Sequence, residues 1–193
     1  KEFGKAKAKR HESVTVLFAD IKSFTKISEL LSPEELVNEL DNYFRQFDAI
    51  TEKYGVEKIK TIGDAYMCAA GLHARGKQDS SDKTNHANAV ISAAKEILAF
   101  VDKQNLARKA NNEPYFDIRI GVHTGPVVSG VVGSHKFAYD IWGDTVNVAA
   151  RMEQNSEAGR INISNTTFVK IKNLFHCTHR GKIEAKNKGA IDM

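Results

Sequence analysis

Two short β-rich apolar runs, residues 56–62 and 65–71, are separated only by Gly63-Asp64. A connection that short and of that composition makes an antiparallel hairpin, with Asp64 at its tip. A long helix pattern lies on either side of it. Ser32-Pro33-Glu34-Glu35 is a capping box with Pro at the first helical position. Leu36, Val37, Leu40, Phe44, Phe47, Ile50 and Tyr54 then follow at spacings of three and four as far as Gly55. Residues 87–101 repeat that spacing behind a polar loop at 76–81.

Strand patterns bracket the two helices. Residues 14–20, Val-Thr-Val-Leu-Phe-Ala-Asp, read as a buried strand that delivers Asp20 at its carboxyl end. Phe116, Ile118, Ile120 and Val122 alternate with Asp117, Arg119, Gly121 and His123, so Arg119 faces away from the apolar set. Thr124-Gly125-Pro126 predicts a turn into a further strand at 127–132, and Asp144 a cap for a helix running to about Gln154. A strand at 161–163 and a ladder over 175–188 complete the chain. The fold class expected is α/β (α+β), with a ferredoxin-like βαββαβ core, an additional C-terminal helix and strands, and an antiparallel-rich sheet carrying helices on one face. In that topology the first strand and the strand before Gly63-Asp64 run parallel, so Asp20 and Asp64 converge at one edge.

At 193 residues, 41% hydrophobic and 27% charged, the chain fits one globular domain. The excess of 28 basic over 24 acidic residues is supplied by Lys1, Lys5, Lys7, Lys9 and Arg10, which leaves the remainder nearly balanced. Residues 1–12 read as a solvated linker or an expression remnant, and 13–193 as the domain. No basic stripe with interleaved aromatics speaks for nucleic acid, and no Gly-rich loop with Lys-Ser/Thr speaks for a P-loop nucleotidase. Cys68 and Cys177 lie far apart, which suits a reducing cytoplasm. No apolar run approaches a membrane span, so the domain is expected to be soluble. The chain opens at Lys1 without Met, and an upstream sensor or membrane part in a longer protein is expected.

Two converging carboxylates are hard oxygen donors of the kind Mg²⁺ or Mn²⁺ accepts beside substrate phosphates. The loop from Ile21 to Thr25, with Phe24 and Thr25 at its end, offers backbone N–H groups to phosphate oxygens. Asn147 and Arg151 are four apart on one helix face and present an amide and a guanidinium to the same ligand. Taken singly, Lys60, Asp140 and Lys186 are ordinary surface charges, and an Asp at a turn is more often a structural residue than a ligand.

Four segments in order resemble the signature blocks of class III adenylyl cyclases. They are Phe18-Ala19-Asp20-Ile21-Lys22-Ser23-Phe24-Thr25, the run from Lys58 to Met67 around Lys60 and Asp64, Arg119-Ile120-Gly121-Val122-His123-Thr124-Gly125-Pro126, and the run from Tyr139 to Met152. The resemblance implies that Asp20, Asp64 and the Ile21 backbone hold two metal ions. It implies that Lys60 and Asp140 read adenine, Asn147 orients ribose, Arg151 meets transition-state charge, and Arg119 and Lys186 neutralise the triphosphate. It further implies that the site lies between two subunits, Asp20, Asp64 and Arg119 coming from one and the other set from its partner. A single chain carrying both sets then forms a homodimer that binds ATP and makes cyclic AMP. One departure concerns Ser23, which stands where many members have glycine. The competing readings are a guanylyl cyclase, which typically has Glu- and Cys-like residues in place of Lys60 and Asp140, and a silent nucleotide-binding or dimerising module.

Overall fold

The computed structural model describes residues 8–72, 85–133, 137–185 and 189–193. β1 (Lys9–Ile21) is followed by the single turn α1 (Phe24–Ser28) and by α2 (Pro33–Lys53). The hairpin β2 (Glu57–Ile62) and β3 (Ala65–Ala70) comes next, then α3 (Asn85–Ala110) and β4 (Ile118–Val132). β5 (Ala138–Trp142), α4 (Asp144–Gln154), β6 (Ile161–Ile163), α5 (Asn165–Ile171), β7 (Lys182–Ala185) and β8 (Gly189–Asp192) follow. The main sheet has the order β2-β3-β1-β4-β5, antiparallel throughout, with β6 parallel beside the first half of β4. Its first four strands with α2 and α3 form the expected ferredoxin-like core. The expected polar loop at 76–81 lies outside the described residues. Among the described residues no helix is long and apolar enough to cross a membrane.

Local signals set most boundaries. Ser32 Oγ accepts from Glu35 N while the Glu35 carboxylate accepts from Ser32 N, and Pro33 opens α2. The α2 stripe buries Tyr43, Phe47 and Ile50 against Phe116 and Tyr66, with edge-on aromatic contacts at 5.2 and 5.5 Å. Val37 falls off that stripe and is 64% exposed.

Five expectations are corrected. β4 runs through Thr124-Gly125-Pro126 without turning. Its partner β1 reaches back to Lys9, into the stretch read as a linker, and pairs with both halves of β4. Pro126 cannot donate to a ladder, and the register of β1 slips between His11 and Val14 opposite it, absorbing the missing bond as a bulge. The helices do not share one face: α2, α3 and α5 pack on the side of Leu17, Ala19 and Ile21, whereas α4 covers the side of Val14, Val16 and Phe18. Asp144 is the first residue of α4 and not its cap, which is Gly143. The C-terminal ladder starts at Lys182, after the unforeseen helix α5, and β5 was also unforeseen.

The seat of α4 depends on two glycines of β4. A Cβ on Gly121 would lie 1.8 Å from Glu153 N, and one on Gly125 would lie 2.6 Å from Thr145 Oγ1. The helix therefore runs antiparallel to the strand, its last turn on Gly121 and its first on Gly125, where Thr145 Oγ1 donates to Pro126 O at 2.6 Å. The four strand steps from Gly121 to Gly125 span about 13 Å and the eight helical steps from Thr145 to Glu153 about 12 Å, so the two contacts match in spacing and fix the helix at both ends. A Gly121→Ala variant meets backbone, which cannot rotate away. It is expected to lose at least about 3 kcal/mol of stability, at the upper end of overpacking costs, measured by urea denaturation.

Candidate active site

Asp20 follows the alternation of Val14, Val16 and Phe18 and so faces α4. Its cross-strand partner is Arg119, whose Nη2 donates to Asp20 Oδ2 at 3.0 Å. Asp64, at the hairpin tip, lies beside the end of β1, as expected. Burial pushes its carboxyl above the ordinary aspartate range, and the adjacent Asp20 adds to the rise while its own backbone N–H opposes it. Two neighbouring carboxylates on a strand end and a turn, with the Ile21 main chain between strand and loop, offer oxygen donors only. That set suits Mg²⁺ or Mn²⁺, which take one or two carboxylates and complete their shells with water and phosphate oxygens. Among the described residues no group of three or more His, Cys, Asp or Glu forms a fuller cage.

The loop after Ile21 carries strain at the position noted in the sequence. Ser23 adopts φ 59° and ψ 30°, the left-handed region, and caps α1 without a side-chain hydrogen bond. That conformation costs a non-glycine residue roughly 1–2 kcal/mol. The turn needed there is therefore made by Ser23 at that cost, and Phe24 and Thr25 begin the helix that follows.

Lys60 and Asp140 are brought together from opposite ends of the strand order. Lys60 Nζ is 2.5 Å from Asp140 Oδ2, and Asp140 Oδ1 accepts from Ile141 N at 2.8 Å. This closes the edge strands β2 and β5 toward one another. A register slip makes it possible: Lys58 pairs with Cys68 but Lys60 with Met67. Cys68 points to the α2–α3 side and Met67 to the α4 side. The bulge at Ile59 thus turns Lys60 to the face opposite Lys58, which instead pairs with Asp48 of α2 at 2.8 Å.

Asn147 is exposed and Arg151 half-buried on the outer side of α4, one turn apart. Neither side chain forms a hydrogen bond or ion pair among the described residues. Lys186 lies outside the described residues. Sequence reasoning missed Glu153, which is 6% exposed and meets Arg119 Nε through its Oε1. The signal was present: Thr145, Val148, Ala149, Met152 and Glu153 form one buried stripe, and an acid occupies its last position. Burial raises the Glu153 carboxyl to about 7, with Asp20 adding and Arg119 opposing.

A family model described as the adenylate and guanylate cyclase catalytic domain matches residues 6–193. An adenylate cyclase of Mycobacterium tuberculosis is 37% identical over 184 residues, covering 95% of this chain and 39% of that protein. The guanylate cyclase soluble subunit beta-2 of Rattus norvegicus is 37% identical over 192 residues, covering 99% of this chain and 27% of that protein. The chain thus spans well under half the length of either relative. The structure of the adenylyl cyclase CyaB from P. aeruginosa matches with a TM-score of 0.86 at 31% identity, covering 96% of this chain and 93% of that one.

A raised carboxyl pKa means the native state holds protons more tightly than the unfolded one, so stability falls as pH rises through it. Asp64→Asn removes that penalty. Without added metal, its thermal midpoint at neutral pH is expected to exceed that of the parent, by a margin that shrinks as the buffer is acidified and Asp64 protonates. Differential scanning calorimetry across pH measures this.

Proposed function

Because the chain belongs to the adenylate and guanylate cyclase catalytic-domain family, we propose that it converts ATP to 3′,5′-cyclic AMP and pyrophosphate at sites shared across a homodimer. The observation that carries the choice of ATP is the Lys60–Asp140 pair, 2.5 Å apart with Asp140 Oδ1 already fixed by Ile141 N. It sets a cationic donor beside an acceptor-only carboxylate. Adenine presents an exocyclic amine next to a ring-nitrogen acceptor and satisfies both. Guanine presents a carbonyl next to a ring N–H, the reverse polarity, and matches neither the half-exposed ammonium nor the largely covered carboxylate. Guanylate and adenylate cyclases match the chain at equal identity, 37%, so overall similarity does not discriminate, and the choice of ATP is read from the Lys60–Asp140 pair.

In this reading Asp20, Asp64 and the Ile21 main chain hold the divalent cations. When bound, these ions supply acidification of the ribose 3′-hydroxyl and neutralisation of triphosphate charge. Asn147 orients the ribose for in-line attack on the α-phosphate. Arg151 meets the charge that develops there, and Arg119 with Lys186 balances the departing pyrophosphate. No side chain in the set is placed as a general base. The domain works as the catalytic part of a longer protein with an upstream sensor or membrane segment.

The shared site is supported by the helix α4 itself. Arg151 lies about 160° around the helix axis from Glu153, the residue that touches Arg119. One chain therefore keeps Asn147 and Arg151 on the far side of α4 from its own Asp20 and Arg119, and a second chain is needed to unite the two sets on one nucleotide.

Incubating the purified chain with ATP or GTP and Mg²⁺ or Mn²⁺ is expected to yield metal-dependent cyclic AMP; cyclic GMP instead would refute the base reading. Lys60→Glu combined with Asp140→Cys is expected to move the ATP/GTP ratio of kcat/KM toward GTP by about tenfold or more, as two mismatched hydrogen bonds imply; an unmoved ratio places base recognition elsewhere. Asp20→Ala and Arg151→Ala should each be inactive alone and regain activity when mixed. No recovery from verified heterodimers would sink the shared site.

A further inference from the structure

Among the described residues no other Asp, Glu, Lys or Arg is as buried as Glu153, at 6% exposure. Nothing in the folding of α4 requires it. It sits in the last turn, where the helix dipole disfavours an anion, on a stripe that Val148 and Met152 otherwise fill with apolar atoms. A buried carboxylate in such a place needs a compensating cation, and Arg119 provides it. The contact is made at one particular nitrogen: Glu153 Oε1 meets Arg119 Nε, while Nη2 at the other end of the same guanidinium reaches Asp20 Oδ2 at 3.0 Å.

A guanidinium is planar, and its donors form a rigid fork. Fixing Nε from below therefore sets the direction in which the terminal nitrogens point. Gly121 contributes by having no side chain, since it allows the backbone of Glu153 to lie directly on the strand that carries Arg119. We propose that Glu153 is a positioning residue for Arg119: it holds the Nε edge so that the terminal nitrogens present a preset fork to the pyrophosphate portion of the substrate. With the Asp20 carboxylate engaged elsewhere, Glu153 is the partner that keeps the fork in place. This inference rests on the nucleotidyl cyclase reading above and concerns the triphosphate end, whichever base is bound.

The test compares Glu153→Met, which keeps the length but puts no oxygen beside the guanidinium, with Glu153→Gln, which keeps a carbonyl oxygen beside Nε. Steady-state kinetics use whichever nucleotide the parent turns over, and calorimetric titration with inorganic pyrophosphate and Mg²⁺ gives a second readout. Glu153→Met is expected to raise KM and weaken pyrophosphate binding by about tenfold or more each, as for removal of one partner of a partly buried charge pair, with a much smaller effect on kcat. Glu153→Gln recovers most of that loss. In an Arg119→Ala background the Met substitution has no further effect on pyrophosphate affinity, because the residue it acts through is gone. Folded Glu153→Met with parental KM and pyrophosphate affinity overturns the proposal, as does a loss of undiminished size without Arg119. If the parent turns over neither ATP nor GTP, the enzymatic reading fails, and the Arg119 dependence of pyrophosphate binding still decides the role of Glu153.

Discussion

The close approach of α4 to β4 across Gly121 and Gly125 is the constraint on which the candidate site depends. A Cβ on Gly121 would lie 1.8 Å from helix backbone, so no other residue fits there without moving the helix, and one on Gly125 would lie 2.6 Å from the Thr145 hydroxyl and displace its bond to Pro126. Because the helix is pinned at both ends, its rotation is fixed along with its position. That rotation puts Glu153 under Arg119 and sends Asn147 and Arg151 outward. A helix held by apolar packing alone would tolerate a shift of a few tenths of an ångström, as packed side chains repack, whereas backbone against backbone does not.

The electrostatics of the region divide into matched and unmatched parts. Arg119 is flanked by Asp20 and Glu153, and Lys60 by Asp140, so these two basic side chains have acidic partners. The carboxylates are in excess near the hairpin tip, where Asp64 adjoins Asp20 and its ionised form is disfavoured. An arrangement selected for stability alone would avoid placing like charges there. The strained φ of Ser23 lies in the same loop. Strain and charge crowding at one edge of an otherwise well-satisfied core fit a site that is completed by cations and phosphate.

The Lys60–Asp140 pair rests on a small irregularity. The β2–β3 ladder slips by one residue at Ile59, which carries Lys60 to the face where β5 curls round with Asp140. Without the slip Lys60 would join Lys58 on the α2–α3 side. A one-residue change in register thus decides whether the pair exists at all.

The sequence by itself determined what is local. The capping box at Ser32, the α2 stripe and the Gly63-Asp64 hairpin are set by residues within a few positions of each other, and each stands in the structure as read except that Val37 lies off the stripe. The order of these elements was enough to make Asp20 and Asp64 converge. The tertiary structure alone decided what depends on distant partners. Thr124-Gly125-Pro126 has the composition of a turn, but β1 pairs across it and holds β4 straight. Asp140 lies 80 positions from Lys60, and no periodicity within β2 foretells a bulge whose purpose is served on another strand. Glu153 completes an apolar stripe as an acid, an anomaly legible in the sequence whose meaning required Arg119 to be seen beneath it. Short-range patterns are fixed by turn and helix geometry, whereas register, facing and charge pairing are fixed only when the sheet closes and the helix settles on its glycines.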